Sequence, residues 1–236
     1  NLAAIAILDH DYMRAISLSE RAIEIRREIG SRLGMVQPIT NLAELRLRLG
    51  MVDEAEDMLR FGLHACGPSL PPSRQAYFSK TLACIHLERG HTDLASKAIA
   101  DAISGARGSS ERVVLAQCHR IAGRVALEDG DVLRAAEELE LAAQQQHTLQ
   151  GEAELAVLQA MQLQAAGKPW KQAARTALGL AQQADDPDSI CEARVLLFRA
   201  RSAECDREGA TREWQAAVAC RDRIAATLPN AMKRRY

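Results

Sequence analysis

Aromatic residues are nearly missing from this chain: Phe, Trp and Tyr together make 3% of its 236 residues. So few rings exclude a ladder of stacking platforms for single-stranded nucleic acid. Runs of β-branched residues are scarce, which argues against a sheet core. No apolar stretch approaches the ~20 residues that a membrane span requires, and no signal peptide is visible. An excess of one charge is missing as well. Thirty basic and 31 acidic side chains leave a formal charge of −1, which offers no global attraction to nucleic acid or an anionic membrane. The six cysteines, Cys66, Cys84, Cys118, Cys191, Cys205 and Cys220, form no C-x-x-C pair and none neighbours a histidine in a metal-ligand spacing. They read as small buried hydrophobes in a reducing, cytoplasmic compartment. A nucleophile motif, a phosphate-binding glycine loop and H-E-x-x-H are all absent. No catalytic residue, cofactor or metal site is expected.

What is present is helix-forming material. The hydrophobic fraction is 47%, carried by Ala and Leu, with Arg, Glu and Gln in quantity, and these residues favour the α-helix. An all-α chain follows. Its organisation is periodic. Gly50, Gly90 and Gly130 recur every 40 residues, each followed five residues later by an alanine: Ala55, Ala95 and Ala135. Counting back reaches Ala15, and counting forward reaches Ala173 and Ala210. Asn41-Leu42-Ala43 and Thr81-Leu82-Ala83 repeat the same step, and Ile121-Ala122-Gly123 follows it loosely.

The unit reads as a first helix running to a glycine, which can take the left-handed conformation of a tight stop. A short turn carrying Asp53, Asp93 or Asp131 suits the start of the next helix. Ala43 with Ala55, and Ala83 with Ala95, sit where two antiparallel helices approach, and Leu42, Leu59, Leu82 and Ile99 fill the space around them. One pair cannot bury its own apolar face, so neighbours must stack.

The segment Glu44-Leu45-Arg46-Leu47-Arg48-Leu49-Gly50-Met51-Val52-Asp53-Glu54-Ala55-Glu56 resembles the tetratricopeptide repeat pattern. The ordinary repeat of that family has a period of about 34, so 40 residues imply longer helices or links. The resemblance covers 1–145 well and is weaker over 146–236. There, Gly167-Lys168-Pro169-Trp170 lengthens a turn and Cys205 stands where glycine is expected. It implies a single domain over 1–236, a right-handed superhelical solenoid of about six antiparallel helix pairs. Because Asn1 falls inside a repeat, a segment of a longer protein is expected, with exposed apolar surface and self-association at the terminal repeats.

Two stretches read as links between repeats: Cys66 to Ser73, with three prolines, and the Gly/Ser-rich Gly105 to Ser110. Asp185 to Ser189 reads as a helix cap. His10 and His91 fall in turns, His86 and His119 in first helices, and His147 completes the set with His64; none is expected to be catalytic. Glu137 and Glu138 read as a solvated face. The basic run Lys233-Arg234-Arg235 is terminal, and Arg21, Arg26 and Arg27 are interleaved with Glu20, Glu24 and Glu28, a solvated helix rather than a phosphate track.

The resemblance places a partner on the concave face, lined by first helices. In the 40-residue register its rows read Gln37, Tyr77, Gln117; then Thr40, Lys80, Arg120; then Glu44, Cys84, Arg124; then Arg48, Glu88, Glu128. Lys80, Arg120 and Arg124 are expected to make a basic patch beside Tyr77, suited to an acidic or carboxylate-bearing peptide. The function expected is a non-catalytic protein- or peptide-binding scaffold. The alternative is the sensor arm of a larger bacterial signalling or transcription-regulatory protein, to whose long-period repeats these are similar.

Overall fold

The structure, a computed structural model, describes residues 2–67, 69–108, 112–145 and 148–233. Among the described residues every regular element is a helix. They are α1 (Leu2–Leu8), α2 (Tyr12–Glu28), α3 (Arg32–Arg48), α4 (Val52–Cys66), α5 (Pro72–Glu88), α6 (Thr92–Arg107) and α7 (Arg112–Glu128). Then follow α8 (Val132–Ala143), α9 (Leu149–Ala165), α10 (Lys171–Gln183), α11 (Pro187–Ala203), α12 (Arg207–Thr227) and the four-residue α13 (Asn230–Lys233). The first twelve pack as sequential antiparallel pairs.

The expected glycine stops are present, and the hydrogen bonds show why they are needed. At Gly50 φ is 71°. Its N–H donates to Leu47 O at 2.9 Å, while Met51 N–H reaches back to Arg46 O at 2.8 Å. This pair of bonds satisfies carbonyls that the end of a helix leaves open, and it requires a left-handed residue between them. The same arrangement closes α5 at Gly90 and α7 at Gly130. Cys205 adopts it at φ 60°, with Asp206 N–H on Arg201 O at 3.0 Å. The cysteine therefore holds the position of the missing glycine.

Downstream of each turn, the fourth residue after the N-cap is a buried alanine. Ala55, Ala95 and Ala135 each have 0% exposure, as do Ala43 and Ala83 on the preceding helices, and a Cβ at Gly123 would lie 3.7 Å from Ala135 O. A Cβ added at Gly123 would lie 2.7 Å from Leu139 Cδ2, so the third pair crosses more closely than an alanine allows. Leu59, Ile99 and Leu139 fill the equivalent space one turn on, all at 3% exposure or less.

Several expectations are corrected. In the later repeat Ala174, not Ala173, takes the alanine position: its N–H donates to the N-cap Trp170 O at 3.0 Å and it is fully buried. The lengthened turn displaced the count by one. Gly105 is no link, because α6 continues through it to Arg107. A Cβ there would meet Pro72 O at 2.5 Å; its small size serves a helix contact. The preceding link is shorter than expected, since Pro72 opens α5 at a position where proline's fixed φ suits the helix. Glu138 is half-buried and contacts His119 Nδ1 at 2.7 Å, so only Glu137 of that pair is a solvated carboxylate. Asp186 caps α11 as expected, accepting from Ser189 N–H. Pro68, Ser109, Ser110, His147, Arg234 and Arg235 lie outside the described residues.

The chain forms two compact units, residues 1–114 with 227–236, and residues 115–226. In the first, Gly62 of α4 faces Ile39 of α3 and Phe78 of α5, where an added Cβ would come within 2.7 Å of both. In the second, α9 is the centre. It shares one apolar cluster with α8 through Leu139, Ala142, Leu155 and Leu158. It shares another with α10 and α11 through Val157, Ala160, Ala174, Ala177, Ala193 and Leu196. Exposed apolar residues include Leu2 at 66% and Ile5 at 52%, but also Leu133 on α8 at 80%; they are not confined to terminal repeats. No helix among the described residues is long and apolar enough to cross a membrane.

Candidate functional site

The residues expected on the first-helix face divide into an accessible set and a buried set. In the first unit, Gln37 of α3 is exposed, and Glu44, Arg48, Tyr77 and Cys84 are half-buried. Tyr77 holds the guanidinium of Arg74, from one turn earlier, 5.8 Å from its ring centroid, within cation–π range. Thr40 is 1% exposed. Its hydroxyl is turned onto its own helix, 3.1 Å from both Val36 O and Gln37 O. Lys80 is 5% exposed and its Nζ lies 2.9 Å from Glu44 Oε1. The same carboxylate accepts from Thr81 Oγ1 at 2.8 Å. Glu44 of α3 is thus held by two donors from α5, one of them charged.

In the second unit the pattern recurs with the signs exchanged. Arg120 of α7, 5% exposed, donates from Nε to Glu154 Oε2 of α9 at 2.8 Å. Its guanidinium lies over Gly151, where an added Cβ would be 3.1 Å from Nη1. The glycine at the start of α9 leaves room for this arginine to lie close over the helix. Arg124, one turn further along α7, pairs with Glu192 of α11. That bond passes from one repeat to the next but one, so α7, α9 and α11 present these side chains to a common side of their unit. Gln117 is half-buried on the same helix.

These pairs change the chemistry expected of the face. A lone buried cation would be expensive, and pairing with a carboxylate is the condition on which it is kept. Lys80 and Arg120 are thus the inner halves of interhelix ion pairs, and Arg124 is a half-buried member of a third. The accessible groups are polar and mixed in sign within each unit: the amide of Gln37, the phenol of Tyr77 and the carboxylate of Glu44 in the first, the amide of Gln117 and the carboxylate of Glu154 in the second, with Glu44 and Glu154 each about a third exposed. The sequence reading missed Glu154 and Glu192. Their signal was available as opposite charges on first helices one and two repeats apart, 34 and 68 residues from their partners.

No group of three or more His, Cys, Asp or Glu side chains is arranged to hold a metal ion among the described residues. His119 is buried at 3% exposure but opposes Glu138 on the next helix, a structural contact between α7 and α8. Burial pushes the Cys66 thiol above its ordinary range, and it donates to Arg32 O at 3.3 Å. Cys191 is raised as well, by burial first and then by neighbouring Cys220 and Asp188. Raised thiols are poor nucleophiles at neutral pH.

No protein-family model matches this chain, and no curated protein matches it either. Among solved structures it is similar to BtubC (BKLC) from P. vanneervenii, with 17% sequence identity and a TM-score of 0.61. That match covers 93% of this chain and 94% of the other. The fold is that of a tetratricopeptide-like helical repeat protein.

Proposed function

We propose that this chain is a non-catalytic scaffold that binds a protein or peptide on the first-helix face of its repeats. The observation that carries the reading is that ion pairs join first helices within each unit: Glu44 with Lys80 in the first, Arg120 with Glu154 and Arg124 with Glu192 in the second. In each unit they fix polar side chains on the first-helix side, a surface suited to an extended partner rather than to a reaction at one point. Gln37, Glu44, Arg48, Tyr77, Gln117 and Arg124 make the contacts. Thr40 and Lys80 in the first unit, and Arg120 in the second, support those side chains from beneath. A partner with alternating acidic and amide groups, or a terminal carboxylate near Arg124, matches it best.

The test is a titration of the full chain with a peptide recovered by display selection on it. Tyr77→Ala and Arg124→Gln should each weaken binding about tenfold, equivalent to about 1.4 kcal/mol, with the helical circular dichroism unchanged. Full affinity in both variants would remove the first-helix face from the mechanism.

A further inference from the structure

The second unit holds a pocket of about 290 Å³ between α10, α11 and α12. It is distinct from the face described above, being walled by the second helices α10 and α12 over a floor contributed by α11. Leu178, Leu197 and Ala200 make its apolar part. Its charged rim is mostly self-neutralised. Lys171 pairs with Glu204. Arg201 binds Asp206 at 2.8 Å and approaches Glu213 at 3.5 Å, and Glu213 also takes Arg194 at 3.0 Å. Arg175 is the exception. It is exposed on the pocket wall and makes no hydrogen bond or ion pair among the described residues, though its charge acts on Glu204.

A second observation points to the same place. Glycine inside a helix costs about 1 kcal/mol relative to alanine, and most interior glycines here have an intramolecular reason. Added Cβ atoms at Gly34, Gly62, Gly105, Gly123 and Gly209 would all come within 3.0 Å of a neighbouring group, and one at Gly151 would lie tight against Arg120. Gly179, in the middle of α10, has nothing within 4 Å of where its Cβ would be. It lies one turn from Arg175, on the same helix face, and it lines the pocket. The packing of this chain does not call for glycine at 179. The open space there leaves room for a molecule in the pocket to approach the α10 backbone one turn from Arg175.

We infer that this pocket binds a monocarboxylate carried on an apolar body, either a free acid or the terminal residue of a peptide. The carboxylate takes Arg175 in a two-pronged charge-assisted contact, and the apolar body lies across Gly179 onto Leu178, Leu197 and Ala200. A pocket near 300 Å³ is at the small end of those that hold small ligands. A site of this kind is what the regulatory-arm reading of the chain requires, and it stands or falls independently of the first-helix face.

The experiment is a titration of the isotope-labelled full chain, followed at the backbone amides of Gly179 and Gln182. The probes are octanoate and its neutral twin octanamide. Saturable shifts are expected with octanoate, at least tenfold tighter than with octanamide. Arg175→Gln should erase that preference. Gly179→Leu should abolish binding of both probes while the circular dichroism melt stays the same or rises, which separates a filled pocket from a lost fold. N-acetyl-Leu-Leu with a free or an amidated C-terminus distinguishes the sources: tighter binding of the free-acid dipeptide than of octanoate assigns a peptide terminus, and weaker binding assigns a small acid. Equal responses to the charged and neutral probes, shifts centred elsewhere, or a preference that survives Arg175→Gln would overturn the assignment.

Discussion

Replacing Gly105 and Gly179 by alanine applies one chemical change to two helix interiors and separates their structural roles. Each substitution removes the same backbone penalty, about 1 kcal/mol. At Gly179 nothing opposes that gain, because no atom lies within 4 Å of the new methyl group; the variant should be stabilised by about 1 kcal/mol. At Gly105 the new Cβ would lie 2.5 Å from Pro72 O, 3.2 Å from Pro72 C and 3.3 Å from Ala76 Cβ. Two of those atoms are backbone at the start of α5, so relief requires α5 and α6 to move apart. Overpacking of this kind costs about 1–3 kcal/mol, and after the helix gain Gly105→Ala should lie between neutral and about 2 kcal/mol destabilised. In the difference between the variants the propensity term cancels, leaving the overpacking cost of about 1–3 kcal/mol. The assay is urea unfolding followed by circular dichroism, with amide exchange reporting local opening in each unit separately. A Gly105→Ala chain clearly more stable than wild type would refute the close α5–α6 approach. A destabilised Gly179→Ala chain would refute the open space over α10.

Three further outcomes are expected. Asp131 caps α8 by accepting from Arg134 N–H at 3.0 Å, so Asp131→Ala should cost about 1 kcal/mol in the second unit, read as faster amide exchange in α8. Arg120→Ala strips a buried pair whose carboxylate can still rehydrate, since Glu154 is 35% exposed. Its cost should be about 1–3 kcal/mol, whereas Arg120→Glu, which sets like charges together over Gly151, should unfold the unit; equal melting temperatures for the two would contradict the geometry. His86 is held below its ordinary 6.5 by burial first and by His91 and Arg89 after it, against the opposing pull of Glu56. The unfolded chain then takes up a proton that the folded chain refuses, so stability should fall as pH drops from 6.5 through the folded-state value. His86→Gln should flatten that part of the melting profile.

The periodic turns were legible from the sequence because a left-handed residue between two helices is a strict local demand. Even Cys205 could be placed by counting. Gly105 was misread because composition does not distinguish a glycine needed for φ from one needed for size; only the position of Pro72 decides. Ala173 was preferred to Ala174 because a longer turn shifts the register without leaving a mark in the alanine pattern. The site residues were legible as positions and not as environments. Register put Lys80 and Arg120 on the first-helix face, but their burial depends on Glu44 and Glu154 of other helices, whose spacing departs from the 40-residue repeat. Thr40 shows the same limit: counting gives its position on α3 but not that it is buried with its hydroxyl satisfied by its own helix.

The most direct test of the scaffold reading is site-specific photocrosslinking of the full chain to its selected peptide. The crosslinker is placed in turn at Gln37, Tyr77 and Gln117 on first helices, and at Leu133 on a second helix as the exposed control. The account predicts adducts from the first three positions and none from Leu133. Adducts from Leu133 with the first-helix positions silent would place the partner on the opposite surface and contradict it.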